Sequence, residues 1–192
     1  TITVGNNPSG VAVSPTGANA GDVYVTNKNS STVSVISPSN HVIATITVGN
    51  YPSGVAVSPT GTNAGDVYVT NQYSNSVSVI SPSNAVIATI GVGSQPHGVA
   101  VAPAGTANAG DVYVTDYGSR SVSVISPSNI VIATISVGAN PYGVAVAPAG
   151  GTNAGDVYVV DLGSRNVSVI GPSNTVIATL TAGTGPYAVA LS

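Results

Sequence analysis

The sequence predicts an all-β protein built of repeated four-stranded antiparallel sheets, and three observations carry that prediction. The first is self-similarity over the whole chain of 192 residues: with Thr-Ile or Thr-Leu as the marker, units begin at Thr1, Thr45, Thr89, Thr134 and Thr179, spaced by 44, 44, 45 and 45 residues. A fixed period of this length is the mark of a repeat architecture. The second is that every unit holds four short runs dense in β-branched residues. The third is turn chemistry: 23 Gly and 13 Pro interrupt the chain every few residues and leave no segment with a useful helical period. The units are 1–44, 45–88, 89–133 and 134–178 with a partial unit at 179–192, read together as one domain.

The first unit shows the elements in order. Val11-Ala12-Val13 alternates so that both valines face one way and the alanine the other. Ser14 to Gly21 is a Gly/Asn loop, and Asp22 opens the second run, Val23-Tyr24-Val25. The third run, Val33-Ser34-Val35-Ile36, is joined to the fourth, Val42 through Val48, by Ser37-Pro38-Ser39-Asn40. In that turn Pro presets φ and Asn suits a tight reversal, and the same turn recurs at Pro82, Pro127 and Pro172. Four antiparallel strands per unit of about 40–45 residues predict a β-propeller blade. With no Phe or Trp in the chain, each layer gains burial from many small Val, Ile and Ala contacts, so neighbouring blades are needed for stability.

Val23-Tyr24-Val25-Thr26-Asn27 and Val67-Tyr68-Val69-Thr70-Asn71, with the surrounding Pro-x-Gly-Val-Ala-Val, Ser-Pro-x-Gly and Val-Ser-Val-Ile elements, resemble the YVTN family of propeller repeats, a surface-layer-like group. The likeness covers the whole chain. The third and fourth units depart from it at Thr115-Asp116 and Val160-Asp161, and all four carry Asn-Ala-Gly before the Asp. The resemblance implies that the Gly-Val-Ala-Val run is strand A, nearest the propeller axis, with B, C and D following outward. On that basis Thr1 to Val4 is the last half of a D strand and Tyr187 to Leu191 an isolated A strand. The ends then do not match a closed ring, and three arrangements stay open: a fragment of a longer propeller, several copies completing one, or an end-to-end assembly through uncovered strand edges.

Composition narrows the partners. Charged residues are 5% of the chain, with a net charge of −3, so there is no basic surface for a run of phosphates and nucleic acid is a poor partner. No run of apolar residues is long enough for a membrane-spanning helix. The absence of Cys removes disulfides, thiolate catalysis and zinc–sulfur sites.

Strand direction puts the D-to-A and B-to-C connections on one face, and this is where the units differ. After the D-to-A proline stand Ser9, Ser53, His97, Tyr142 and Tyr187. Tyr51 lies before one such proline, and Tyr73 and Tyr117 lie in B-to-C loops. Tyr51, Tyr73, His97, Tyr117, Tyr142 and Tyr187 are therefore the candidate binding residues, a polar-aromatic surface suited to a glycan or peptide. Asp22, Asp66, Asp111 and Asp156 recur once per unit; one carboxylate per blade is too few for calcium, and they read as turn caps. Asp116 with Arg120 and Asp161 with Arg165 read as local ion pairs pinning their loops. No metal site, cofactor or catalytic residue is expected: His41 and His97 fall on opposite faces, Glu is absent, and no nucleophile-elbow motif occurs. Asn29 and Asn166 match the N-glycosylation pattern.

The leading expectation is a non-catalytic extracellular or cell-surface structural protein, a surface-layer or fibre subunit that self-associates through blades and strand edges. The alternative is a glycan- or peptide-binding module using the D-to-A and B-to-C face. The third is a propeller lyase or lactonase, an activity that the family resemblance brings in.

Overall fold

The computed structural model describes residues 1–191 and shows four antiparallel sheets in chain order. The first holds β1 (Pro8–Val13), β2 (Val23–Asn27), β3 (Thr32–Ile36) and β4 (Val42–Thr47). The second holds β5 (Pro52–Val57), β6 (Val67–Asn71), β7 (Ser76–Ile80) and β8 (Val86–Gly91). The third holds β9 (Pro96–Val101), β10 (Val112–Asp116), β11 (Ser121–Ile125) and β12 (Val131–Ser136), and the fourth β13 (Pro141–Val146), β14 (Val157–Asp161), β15 (Asn166–Gly171) and β16 (Thr175–Thr181). Within each sheet consecutive strands are neighbours, the meander of a propeller blade. A three-residue 3₁₀ turn, Lys28–Ser30, is the one helical element among the described residues.

The core lies between sheets rather than within them. Tyr24, Val33, Val35 and Ile46 of the first sheet interlock with Val67, Val69 and Ile80 of the second. The same pattern joins the second sheet to the third and the third to the fourth. The innermost strands pack in series, β1 on β5, β5 on β9 and β9 on β13. That approach requires glycine: a Cβ on Gly54 would fall inside van der Waals contact with the His97 carbonyl oxygen of the next sheet.

Two side-chain ties fix the spacing of neighbouring sheets. Thr26 Oγ1, at the third position of the Tyr-Val-Thr-Asn run, donates to the Ser53 carbonyl across the interface (2.8 Å), Thr70 to that of His97 (2.7 Å) and Thr115 to that of Tyr142 (2.8 Å). On the opposite face the A-to-B loop asparagine bonds its own sheet's tyrosine and the next sheet's backbone. Asn19 Nδ2 donates to Tyr24 Oη (2.8 Å) and to the Gly65 carbonyl (3.0 Å), and Asn108 repeats this with Tyr113 and Gly155. Asn63 reaches Tyr68 and the Pro127 carbonyl.

The four sheets form an open arc. Among the described residues no buried apolar cluster joins the fourth sheet to the first. Val11 and Val13, whose counterparts Val55 and Val57 pack between sheets, are 66% and 57% exposed. Leu180 is 49% exposed, whereas Ile90 at the same repeat position is 8% exposed. Neither Thr1 to Val4 nor Tyr187 to Leu191 forms a strand, contrary to the sequence expectation, because neither has a neighbouring strand of its own blade to complete a ladder. The tail does lie where an A strand belongs, with Tyr187 and Ala188 backed against Gly143 of β13.

The contrast between interior and terminal sheets can be measured. Ile90→Ala removes a buried side chain between two sheets and should lower unfolding free energy by ~2–4 kcal/mol. Leu180→Ala, at the equivalent position on the uncovered face, should cost under ~1 kcal/mol. Urea denaturation of both variants is the measurement, and equal losses would mean that the terminal face is covered in solution.

Candidate ligand-binding site

The D-to-A loops enter the A strands through Pro and place the following residue at the rim of the central axis. Successive sheets thus present Ser9, Ser53, His97 and Tyr142 at one position, with Tyr187 of the tail continuing the series. The B-to-C loops lie beside them: backbone bonds from Gln72 to Tyr51, from Tyr117 to Gln95 and from Leu162 to Asn140 zip each pair of loops together. All six residues singled out in the sequence therefore meet on one face. They line an open cavity of about 370 Å³ with Lys28, Gln72 and Leu162. It continues down the axis into a space of about 500 Å³ walled by the glycines and valines of the A strands.

The aromatic contacts are continuous over half of this rim. The His97 and Tyr142 rings have centroids 3.6 Å apart, and Tyr142 and Tyr187 4.2 Å apart with hydroxyls hydrogen-bonded to one another. Tyr117 meets Tyr142 edge-on at 6.4 Å. On the far side Tyr51 and Tyr73 stack at 4.4 Å, with the Lys28 ammonium 5.4 Å from the Tyr51 ring, a favourable cation–π position. Small Ser9 and Ser53, at the position that His97 and Tyr142 hold, line the axial space below the rim. The backbone at Tyr51 has φ 58°, a left-handed conformation that its counterparts fill with Asn7, Gln95, Asn140 and Gly185. Asn and Gly adopt it readily and a bulky tyrosine does not, so local backbone preference does not explain Tyr51.

Electrostatically the site is nearly neutral. Burial first, and then the Lys28 charge, lower the His97 pKa to about 4, so the imidazole is uncharged at neutral pH. Burial, the Tyr187 hydroxyl and Tyr117 hold the Tyr142 phenol above its ordinary value. Among the described residues no carboxylate lines the cavity. Lys28, the chain's one lysine, is a site residue that the sequence reading did not select, although it stands in a B-to-C loop as Tyr73 and Tyr117 do. His41 lies in the exposed β3–β4 turn, away from this face.

Two readings of the charged residues change. Asp116 and Asp161 do not pair with Arg120 and Arg165. Their side chains end β10 and β14 pointing into the sheet, fully buried, while both arginines sit exposed at left-handed loop corners. Asp116 Oδ2 accepts from Ser121 (3.0 Å) and Ser123 (2.8 Å), and Asp161 Oδ2 accepts from Ser168 (2.7 Å). Asn27 and Asn71 hold the same position in the first two sheets and donate to the corresponding hydroxyls. The once-per-unit Asp22 does not cap its turn with the carboxylate; the loop closes through backbone bonds, Asp22 N–H to Asn19 and Ser14 N–H to Asp22, aided by Asn19. Among the described residues no three His, Cys, Asp or Glu side chains gather as a metal cluster would need. Of the glycosylation candidates, Asn29 is exposed in the 3₁₀ turn, whereas Asn166 begins β15 with its amide oxygen buried.

Solved structures similar to this chain are propellers. Kuenenia stuttgartiensis hydrazine synthase matches with a TM-score of 0.77 at 24% identity, over 94% of this chain and 50% of that one. A functionally unknown protein of Desulfotomaculum acetoxidans gives 0.81 at 17% over the whole of this chain and 61% of that one. An inactive Staphylococcus aureus virginiamycin B lyase with quinupristin gives 0.79 at 16%, over 99% of this chain and 61% of the lyase. The likeness shows the β-propeller fold, and this chain spans between half and two thirds of the length of these structures. No family model and no curated protein matches the chain.

Burial, partly offset by the serine and backbone donors, raises the Asp116 pKa from 3.8 to about 6. The folded protein then holds this proton more tightly than the unfolded chain, so its contribution to stability falls as pH rises from about 4 to about 6. Asp116→Asn should add ~2–3 kcal/mol at pH 7 and little near pH 4. His97 acts with the opposite sign, its lowered pKa removing stability as pH falls below about 6.5. The variant-minus-parent difference in urea titrations across pH 4–7 isolates Asp116, and a pH-independent difference would refute this assignment.

Proposed function

We propose that this face is a ligand-binding surface for a flat, largely uncharged molecule, a glycan or a peptide. The observation that carries the proposal is how the chain divides its nine tyrosines. Tyr24, Tyr68, Tyr113 and Tyr158 each bond an A-to-B loop asparagine, whereas Tyr51, Tyr73, Tyr117, Tyr142 and Tyr187 converge with His97 on one rim. Tyrosine offers a flat apolar area with a hydrogen-bonding tip, the combination that sugar rings and peptide planes match. Among the described residues the rim holds one cation, Lys28, and no anion, which favours a neutral ligand or one bearing a single negative charge.

Tyr73 and Tyr187 are 63% and 58% exposed and belong to no core cluster, so altering them leaves the packing between the four sheets intact. On glycan and peptide arrays, Tyr73→Ala and Tyr187→Ala should each weaken retention of a captured ligand about tenfold, ~1.4 kcal/mol, with the thermal midpoint unchanged. Retention that survives both substitutions would defeat the proposal.

The uncovered Val11, Val13 and Leu180 favour a second reading, a YVTN-type extracellular scaffold subunit that associates through its terminal sheets. Light scattering distinguishes them: this reading expects mass to grow with concentration, and a monomer at all concentrations removes it. The lyase among the structural neighbours makes catalysis a third reading, which would rest on His97 as the one imidazole at the cavity.

A further inference from the structure

We propose that Tyr142 and Tyr187 form an oxidative cross-linking site, joined as a dityrosine when a haem peroxidase and hydrogen peroxide supply the oxidising equivalents. Such a bond would staple the C-terminal tail to β13 and fix one wall of the cavity.

Composition selects the residue type. The chain has no Cys, Met or Trp, so the side chains that ordinarily absorb oxidant first are missing, and its nine tyrosines are left as the readily oxidised groups. Geometry then selects the pair. Coupling requires the ring carbons flanking two hydroxyls to meet, and Tyr142 and Tyr187 have their hydroxyls hydrogen-bonded and their centroids 4.2 Å apart, with planes inclined by 42°. Tyr51 and Tyr73 stack nearly parallel at 22° with no bond between their hydroxyls. Tyr117 meets Tyr142 edge-on at 6.4 Å, too far for bond formation without movement. Tyr24, Tyr68 and Tyr113 are fully buried. Tyr187 is well exposed, so oxidant reaches the pair.

The tail has reason to need a covalent tie. In the first three sheets a threonine hydroxyl bonds the next A strand's carbonyl, and the fourth sheet has Val160 at that position, which offers no donor to the Tyr187 carbonyl. Tyr142 is the side chain that holds Tyr187 instead.

The chemistry balances. Each phenol loses one electron and its hydroxyl proton to become a phenoxyl radical. The two radicals join through one new carbon–carbon bond between ortho positions, and the hydrogens on those carbons move to the oxygens and restore both phenols. Two hydrogen atoms leave in all, and hydrogen peroxide, its O–O bond broken, takes them up as two waters.

The experiment treats the full chain with a haem peroxidase and peroxide and maps the products after tryptic digestion. Cleavage after Lys28, Arg120 and Arg165 puts Tyr142 in peptide 121–165 and Tyr187 in peptide 166–192, whereas Tyr51, Tyr73 and Tyr117 all lie in 29–120. The expected product is 121–165 joined to 166–192 at two hydrogens below their summed mass, with fragmentation locating the bond at Tyr142 and Tyr187. Its yield should fall at least about tenfold in Tyr142→Phe, in Tyr187→Phe and in the urea-unfolded parent, because it depends on held proximity. A principal product involving 29–120, links only between separate chains, or an equal yield from the unfolded chain would overturn the proposal.

Discussion

The structure depends on the contact between one sheet and the next. No sheet here has a core of its own: Val33 and Val35 of one strand are covered only because Val67, Val69 and Ile80 of the following sheet lie against them. Side chains this small gain little individually, so the contact works only at close range. Glycines such as Gly54 permit that range and the threonine and asparagine ties fix it. The threonine tie also links scaffold to site. The carbonyls that Thr26, Thr70 and Thr115 bond belong to Ser53, His97 and Tyr142. The bond that stitches two sheets together is therefore the one that sets the position of each cavity-wall residue.

The buried end of the B strand shows how a repeat tolerates chemical change when hydrogen-bond polarity can reverse. Serine hydroxyls either donate or accept, so the same pocket accommodates the Asn27 amide as donor and the Asp116 carboxylate as acceptor. The exchange is not free. A carboxylate held without a cation is disfavoured by burial, and the raised pKa of Asp116 and Asp161 expresses that. Gly93 and Gly138 cradle these carboxylates as Gly49 cradles Asn71, which accounts for a glycine that the D strand itself does not require.

Most of the fold was legible because it is periodic: strand runs, turns and the open ends follow from a motif that repeats four times, and each copy checks the others. The tyrosine rim was legible for the opposite reason. Residues that vary within a repeat whose scaffold does not vary stand out, and strand direction assigns them to a face. What escaped was decided by side-chain direction at strand ends. Asp116 and Arg120 are four residues apart and of opposite charge, yet one closes a strand facing inward and the other turns a loop at φ 55°. Nothing in their spacing says so. Lys28 escaped because it occurs once, in the one B-to-C loop that winds into a 3₁₀ turn.

The packing of the sheets does not require the aromatic groups of the rim. Ser9, Ser53, His97, Tyr142 and Tyr187 occupy equivalent places on equivalent backbones, and none of them belongs to a cluster between sheets. The first two sheets show that serine suffices there for folding. A buried imidazole removes stability as pH falls below about 6.5, and a tyrosine at a left-handed corner that Asn7 and Asn140 fill in two other units works against stability rather than for it. The proposed binding face draws on that departure from the repeat, with His97, Tyr142 and Tyr187 standing where the first two sheets place Ser9 and Ser53.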